Sequence, residues 1–287
     1  MKIKVNNLEF SYGKRKVLNI SNIEFEQGKI YGIVGKNGVG KTTFFKALTN
    51  IIINYKGTVE IDGFNIKNNF QSLPKVGIAL DDMELYKNHT GLFNLRYFGG
   101  LRGGFDETHA LNLARELEIG DSINKKVGSY SLGMNKKLIL LISVINDAQI
   151  LIFDEPFRGL DAKSVKWFKN YLLNLKKSGR TILISSHVKE DIETLSDKVL
   201  VMSNGDFKNI FDLKNEVQNY IYRVEVSDKN AVINLLNKNK IVFEEEGQFI
   251  KFEINEASYK EVFKKSVALG VDFYQIKKEN KFVELIK

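Results

Sequence analysis

The stretch Gly35-Lys36-Asn37-Gly38-Val39-Gly40-Lys41-Thr42, continued by Thr43, constrains this chain more than any other. It fits the pattern G-x-x-x-x-G-K-[ST], a loop whose glycines let successive backbone N–H groups converge on one anion. Its flanks fit as well. Residues 29–34 (KIYGIV) read as a short buried strand, and residues 42–49 as the start of a helix. A helix opening there adds its dipole and its unpaired N–H groups to the same anion site. The pattern sets Gly35, Asn37, Gly38, Gly40, Lys41, Thr42 and Thr43 around bound phosphates. Lys41 is expected to reach the β- and γ-phosphates and the Thr42 hydroxyl to hold Mg²⁺. A Gly-rich turn that binds nothing would account for the glycines, but not for the lysine and threonine in register.

Composition narrows the setting. An apolar fraction of 43% and a charged fraction of 27% over 287 residues are those of an ordinary globular protein with a real core. Without cysteine there are no disulfides and no thiolate metal sites, which suits a reducing cytoplasm. Residues 1–13 alternate polar and apolar and lack a signal-peptide core. The longest apolar run, residues 138–145, is interrupted by Ser143 and is too short to span a bilayer. A cytoplasmic protein, soluble or peripheral on a membrane, is expected. The net charge is +8, and residues 219–287 are nearly balanced, with 12 basic against 11 acidic groups. The excess therefore lies with the phosphate-binding part. Its lysines are scattered among Asn and Ile, which reads as a solvated surface and not as a nucleic-acid site.

Along the chain, residues 2–10, 17–25 and 55–62 alternate as strands of a small antiparallel sheet, the last closed by an Asp62-Gly63 turn. From about residue 82 to 146 the pattern is helical, with Ala110, Leu113, Ala114 and Leu117 on one face and Ser131 as a helix cap. A parallel-sheet pattern then returns, with strands at 149–153, 181–185 and 198–202 and helices at 162–177 and 188–195. This alternation argues for an α/β core with helices on both faces, interrupted by a helical insert at 82–146. A second unit, residues 219–287, reads strand, helix, hairpin around Gly247, helix, then one or two strands over 272–286. The order βαββαβ suggests a ferredoxin-like α+β module.

Further motifs follow the loop in a fixed order. Ile150-Leu151-Ile152-Phe153-Asp154-Glu155 is an apolar strand ending in two carboxylates. Asp154 is placed to bind Mg²⁺ through water, and Glu155 to orient and deprotonate an attacking water. His187 follows the strand TILISS, within reach of the γ-phosphate. Tyr130-Ser131-Leu132-Gly133-Met134 opens a helix by the same glycine-and-dipole logic as the first loop.

Taken together, these residues resemble the ATP-hydrolysing subunit of an ABC transporter, over roughly residues 1–215. Gly35 to Thr43 is similar to the Walker A loop and Ile150 to Glu155 to Walker B with its catalytic glutamate. Ser131 to Met134 resembles the signature motif, Gly159-Leu160-Asp161 the D-loop, and His187 the switch histidine. Tyr12 takes the place of the aromatic that stacks on adenine. The resemblance implies a P-loop NTPase fold, ATP and Mg²⁺ as cofactors, and Lys41, Glu155 and His187 as catalytic groups. It also implies Ser131 and Gly133 acting on the γ-phosphate of a facing protomer, in a homodimer or in a heterodimer with a paralogous ATPase. Two positions depart from the family. Asp81 replaces the usual glutamine after the strand at 76–80, and is expected near the metal with Thr42 and Asp154. The signature continues Met134-Asn135-Lys136-Lys137, without arginine.

The Ser-Leu-Gly-Met signature, the acid at 81 and the C-terminal extension resemble bacterial exporters with a separate membrane permease. Peptide and antimicrobial substrates are common in that branch. Residues 83–98, rich in exposed-type apolar groups, are the expected permease dock. The alternative is a soluble ABC-type ATPase acting on nucleic acid or the ribosome. The interval between loop and signature carries no heptad run, only one cassette is present, and zinc cysteines are absent, so the transporter reading prevails.

Overall fold

The computed structural model describes residues 1–213 and 219–285. It divides into two compact units, Met1–Phe211 and Asp212–Lys287. The domain end expected at residue 215 lies outside the described residues.

In the first unit β1 (Ile3–Tyr12) and β2 (Arg15–Phe25) form a hairpin. Ile3, Val5, Leu8 and Phe10 point inward and alternate with polar neighbours, apart from an irregularity at Asn7, whose φ is 48°. β3 (Ile30–Val34) leads through the phosphate loop into α1 (Lys41–Leu48). β4 (Lys56–Ile61) then pairs antiparallel with β1, and β5 (Phe64–Asn65) returns beside it. Asp62 and Gly63, at φ 52° and 82°, make the left-handed pair that a two-residue hairpin turn requires.

β6 (Val76–Ala79) starts the approach to the helical insert: α2 (Gly91–Gly100), α3 (Glu107–Glu116) and α4 (Leu132–Val144). The chain returns as β7 (Ile150–Asp154), α5 (Ala162–Lys177), β8 (Thr181–Ser185), α6 (Lys189–Leu195), β9 (Lys198–Ser203) and β10 (Asp206–Asp212). The main sheet runs β10-β9-β3-β8-β7-β6, and β9, β3, β8, β7 and β6 are mutually parallel. Every residue of β3, β7 and β8 is buried. That explains why these strands read as unbroken apolar runs and not as alternations: both faces are covered. Four neighbouring strands, β3, β8, β7 and β6, therefore end side by side. The loops beyond their carboxyl ends carry Gly35–Thr43, His187, Asp154-Glu155 and Asp81. This is the edge where open α/β sheets place ligands.

The insert is tied to the sheet by α4. A Cβ on Gly77 of β6 would lie 2.0 Å from the Ser143 carbonyl of α4, so helix and strand backbones meet directly. Lys136 through Val144 are all buried. The last helix of the insert is thus also a wall of the core, a close approach that no sequence pattern displays.

The second unit consists of β11 (Asn219–Val226), α7 (Lys229–Lys238), β12 (Phe243–Glu246), β13 (Phe249–Asn255), α8 (Glu256–Ala268), β14 (Phe273–Asn280) and α9 (Lys281–Leu285). Its antiparallel sheet is ordered β12-β13-β11-β14, the arrangement of a ferredoxin-like βαββαβ unit. Tyr222, Val224, Ile250 and Phe252 form its core with Val232, Leu236 and Val262. Of the one or two strands expected over 272–286, one is found, β14. After β14 comes a helix, not a second strand, and Phe282 and Val283, adjacent in sequence, are both buried. Successive strand residues face opposite ways, whereas a short helix can bury two neighbours.

Candidate nucleotide site

One cleft of about 580 Å³ opens at the carboxyl edge of the parallel sheet. Its lining brings together Tyr12, Asn37, Gly38, Gly40, Lys41, Thr42 and Thr43 with Asp81, Asp154, Glu155 and His187. Residues from four strand ends and one hairpin, up to 175 positions apart in sequence, share one wall.

The loop is shaped by two glycines that no other residue could replace. Gly35 has φ 157°, and a Cβ on it would sit 2.4 Å from the Met202 carbonyl. Gly40, at φ 117°, caps α1, and a Cβ there would meet the Val17 carbonyl at 3.0 Å. Lys41 is 7% exposed and folds back onto the loop, donating to the carbonyls of Gly35 (2.7 Å) and Lys36 (3.2 Å). Burial pushes its pKa down, while the Glu155 and Asp154 carboxylates oppose that shift.

The two carboxylates at the end of β7 have different surroundings. Asp154 accepts hydrogen bonds from the hydroxyls of Thr42 and Ser185. The Ser185 hydroxyl also accepts from the Glu155 N–H at 3.1 Å, so this serine on β8 orients both acids. Sequence reading passed over Ser185 because a serine at a strand end carries no signal of its own. Glu155 adopts φ 48°, uncommon for a residue with a side chain, which turns its carboxylate away from the strand and into the cleft. Its Oε2 accepts the His187 N–H at 3.3 Å. Its Oε1 lies 3.2 Å from His187 Nε2, but not in line with a donor, and this buried oxygen has no hydrogen bond among the described residues. Burial raises the Glu155 pKa, outweighing the lowering by His187; Asp154 raises it further and Lys41 opposes. The site thus holds a carboxylate of heightened basicity beside a better-solvated imidazole.

Asp81 lines the cleft, and both its carboxylate oxygens have cationic partners: Oδ1 accepts from the Lys136 ammonium at 3.2 Å and Oδ2 from Arg158 at 3.1 Å. Lys136 also donates to the Asp154 carbonyl at 3.4 Å. Two cations, one from the signature helix and one just beyond Walker B, hold the acid at the mouth. Neither was legible as a partner, since Lys136 is 55 and Arg158 77 positions away.

Ser131 and Gly133 are not among the residues lining this cleft. The Ser131 hydroxyl caps α4, accepting from the Met134 N–H at 3.2 Å, and Gly133 packs against the Gly159 carbonyl. Lys137 pairs with Asp161 at 2.9 Å; with the Ser164 N–H and hydroxyl, it holds that carboxyl far below its usual range. The signature segment and the D-loop are thereby fastened to each other.

Known proteins share this arrangement. Residues 18–158 match the ABC transporter family. The bacitracin transport ATP-binding protein BcrA of Enterococcus faecalis is 34% identical over 83% of this chain and 78% of its own length. The chain belongs to the ABC transporter ATP-binding family. The lantibiotic transport ATP-binding protein SrtF of Streptococcus pyogenes is 34% identical over 71% of this chain and 87% of its own length. The fold of a solved ATP-binding subunit of an ABC transporter superposes with a TM-score of 0.69 at 23% identity, covering 75% of this chain and 91% of that one. The chain is accordingly an ATP-hydrolysing, nucleotide-binding subunit, and such subunits work with separate transmembrane permeases. Among the described residues no helix is long and apolar enough to cross a membrane.

Proposed function

We propose that this ATPase powers an exporter by closing on ATP as a pair of chains and reopening after hydrolysis. The observation that carries the reading is the division of the expected site. Lys41, Thr42, Asp154, Glu155 and His187 line one cleft, whereas Ser131 and Gly133 lie outside it. A phosphate contact from the signature segment then has to be made to the cleft of a facing chain.

The loop N–H groups and Lys41 bind the β- and γ-phosphates, with Lys41 exchanging its two loop carbonyls for phosphate oxygens. Tyr12, 55% exposed and held edge-on by Phe10 at 4.7 Å, offers its face to adenine. Thr42 and Asp154, already in contact, are the oxygen donors that suit a small hard cation carried in with the nucleotide. Mg²⁺ held there would offset the charge of the phosphates. Glu155 Oε1, buried and with no hydrogen bond among the described residues, accepts the proton of the attacking water. His187, fixed by its own N–H to Glu155, steadies the γ-phosphate.

Residues 83–98 supply the dock for the permease. Asn94, fully buried, fixes this segment: its Oδ1 accepts from the Tyr86 N–H at 2.8 Å and its Nδ2 donates to the Thr90 carbonyl at 2.9 Å. Leu85 and Leu95 pack inward, but Tyr86, Phe93 and Tyr97 stay 38–45% exposed; Tyr86 meets Phe93 and Tyr97 edge-to-face, and Phe93 stacks on His89. Contiguous exposed aromatic surface of this kind marks a protein interface. The ATPase would thus sit peripherally on the inner face of the membrane. Similarity to bacitracin and lantibiotic transport proteins supports a peptide or antimicrobial cargo.

The test is oligomeric state. Glu155→Gln, unable to take the proton, is expected to elute as a dimer with ATP and as a monomer with ADP. Ser131→Asp added to it keeps a good helix cap but sets a carboxylate against the facing γ-phosphate. That double variant should bind ATP and stay monomeric. An ATP-dependent dimer in the double variant would overturn the shared-site reading.

A further inference from the structure

Between the base and the β-phosphate of a nucleotide lie the ribose and the α-phosphate, and Arg15 lines the cleft together with Tyr12 and the phosphate loop. Tyr12 and Arg15 are direct cross-strand partners at the end of the β1–β2 hairpin, joined by Gly13-Lys14, with Gly13 at φ 57°. Paired residues on adjacent strands project to the same face, and both line the nucleotide cleft. Arg15 Nη2 comes within 4.0 Å of where a Cβ on Gly38 would stand, so the guanidinium reaches from the adenine end to the crown of the phosphate loop. Its neighbour Lys16 is occupied by Glu9 at 3.3 Å. Arg15 makes no ion pair or side-chain hydrogen bond among the described residues. A guanidinium kept free of carboxylates, aimed between an aromatic ring and a phosphate loop, matches a planar anion contact.

We propose that Arg15 binds the phosphates of the ADP moiety, the α- or β-phosphate, and so sets the affinity for both substrate and product. This rests on the nucleotide-site reading above. As an exposed, charge-assisted contact it is screened by salt, and it does not discriminate ATP from ADP. A charge that merely solvates the hairpin would affect neither nucleotide.

Calorimetric titration of the full chain with ATP and with ADP tests it, using wild type, Arg15→Gln, Arg15→Lys and, as control, Lys41→Ala. Arg15→Gln should weaken ATP and ADP by the same factor, on the order of five- to tenfold. Arg15→Lys should fall between, since a point charge replaces a fork. The loss should shrink when salt is raised from about 0.05 to about 0.5 M. Unchanged affinity for both nucleotides overturns the proposal. A loss confined to ATP would move the contact to the γ-phosphate and overturn it equally. A salt-independent loss would mean that Arg15 acts by shaping Tyr12, again against the proposal. If Lys41→Ala binds as tightly as wild type, the nucleotide-site reading itself fails, and the inference with it.

Discussion

The ion cluster on Asp81 gives a quantitative test of how the signature helix is joined to the catalytic edge. Lys136 has a side chain only 8% exposed, and Asp81 one 40% exposed, with 3.2 Å between Nζ and Oδ1. At an effective dielectric of about 20 their gross attraction is about 5 kcal/mol, most of it offset by desolvation of the ammonium. Asp81→Asn removes the counter-charge and leaves the buried ammonium with neutral acceptors alone, the new amide oxygen and the Asp154 carbonyl at 3.4 Å. Breaking one side of a fully buried pair costs about 3–5 kcal/mol, and the exposure of Asp81 reduces this to about 2. Lys136→Met, which keeps the packing, leaves Asp81 with Arg158 and water and should cost about 1 kcal/mol. In the double variant neither charge is stranded, so its cost should fall short of the sum by about 1 kcal/mol. Urea unfolding followed by tryptophan fluorescence reads this cleanly. Trp167, the lone tryptophan, lies on α5 of the first unit and so reports on that unit. With a slope of about 2–3 kcal/mol per molar urea, Asp81→Asn should lower the midpoint by about 0.8 M at unchanged slope. Strict additivity of the two substitutions would refute the pairing.

Other outcomes follow from the same geometry. Because burial raises the Glu155 pKa above its ordinary 4.5, the acid limb of ATP hydrolysis should lie above that value, seen in the pH profile of kcat/KM. The sign for stability is opposite: the folded chain holds this proton more tightly than the unfolded one, so the group's contribution is greatest at low pH and declines as pH rises through the raised pKa. Lys41→Ala should reduce hydrolysis by at least about a hundredfold in a phosphate-release assay, since a charge-assisted contact in a partly dry site is lost. Phe93→Ser with Tyr97→Ser should uncouple transport while the isolated subunit keeps its ATPase rate; intact transport in cells would count against the dock. A chain ending at residue 212 should still fold and bind ATP, because the cleft draws no residue from beyond His187.

What the sequence determined by itself is whatever rests on short-range rules. The glycines, lysine and threonine of residues 35–43 announced the loop because an anion needs converging N–H groups. The unbroken apolar runs at 150–154 and 181–185 announced buried parallel strands because both their faces are covered. The cap at Ser131 and the βαββαβ order of the second unit were equally local. The tertiary structure decided what depends on which side chains meet after folding. Only the pairing of β7 with β8 brings Ser185 against both Asp154 and Glu155, and only the packing of α4 on β6 delivers Lys136 to Asp81. That second meeting makes Asp81, expected beside the metal, the centre of an ion cluster. Phe282 and Val283 look like a strand in sequence, but in the fold both are buried on one short helix. Charge partners and burial are long-range properties, so a carboxylate's role depends on neighbours 55 and 77 positions away that no local pattern can name.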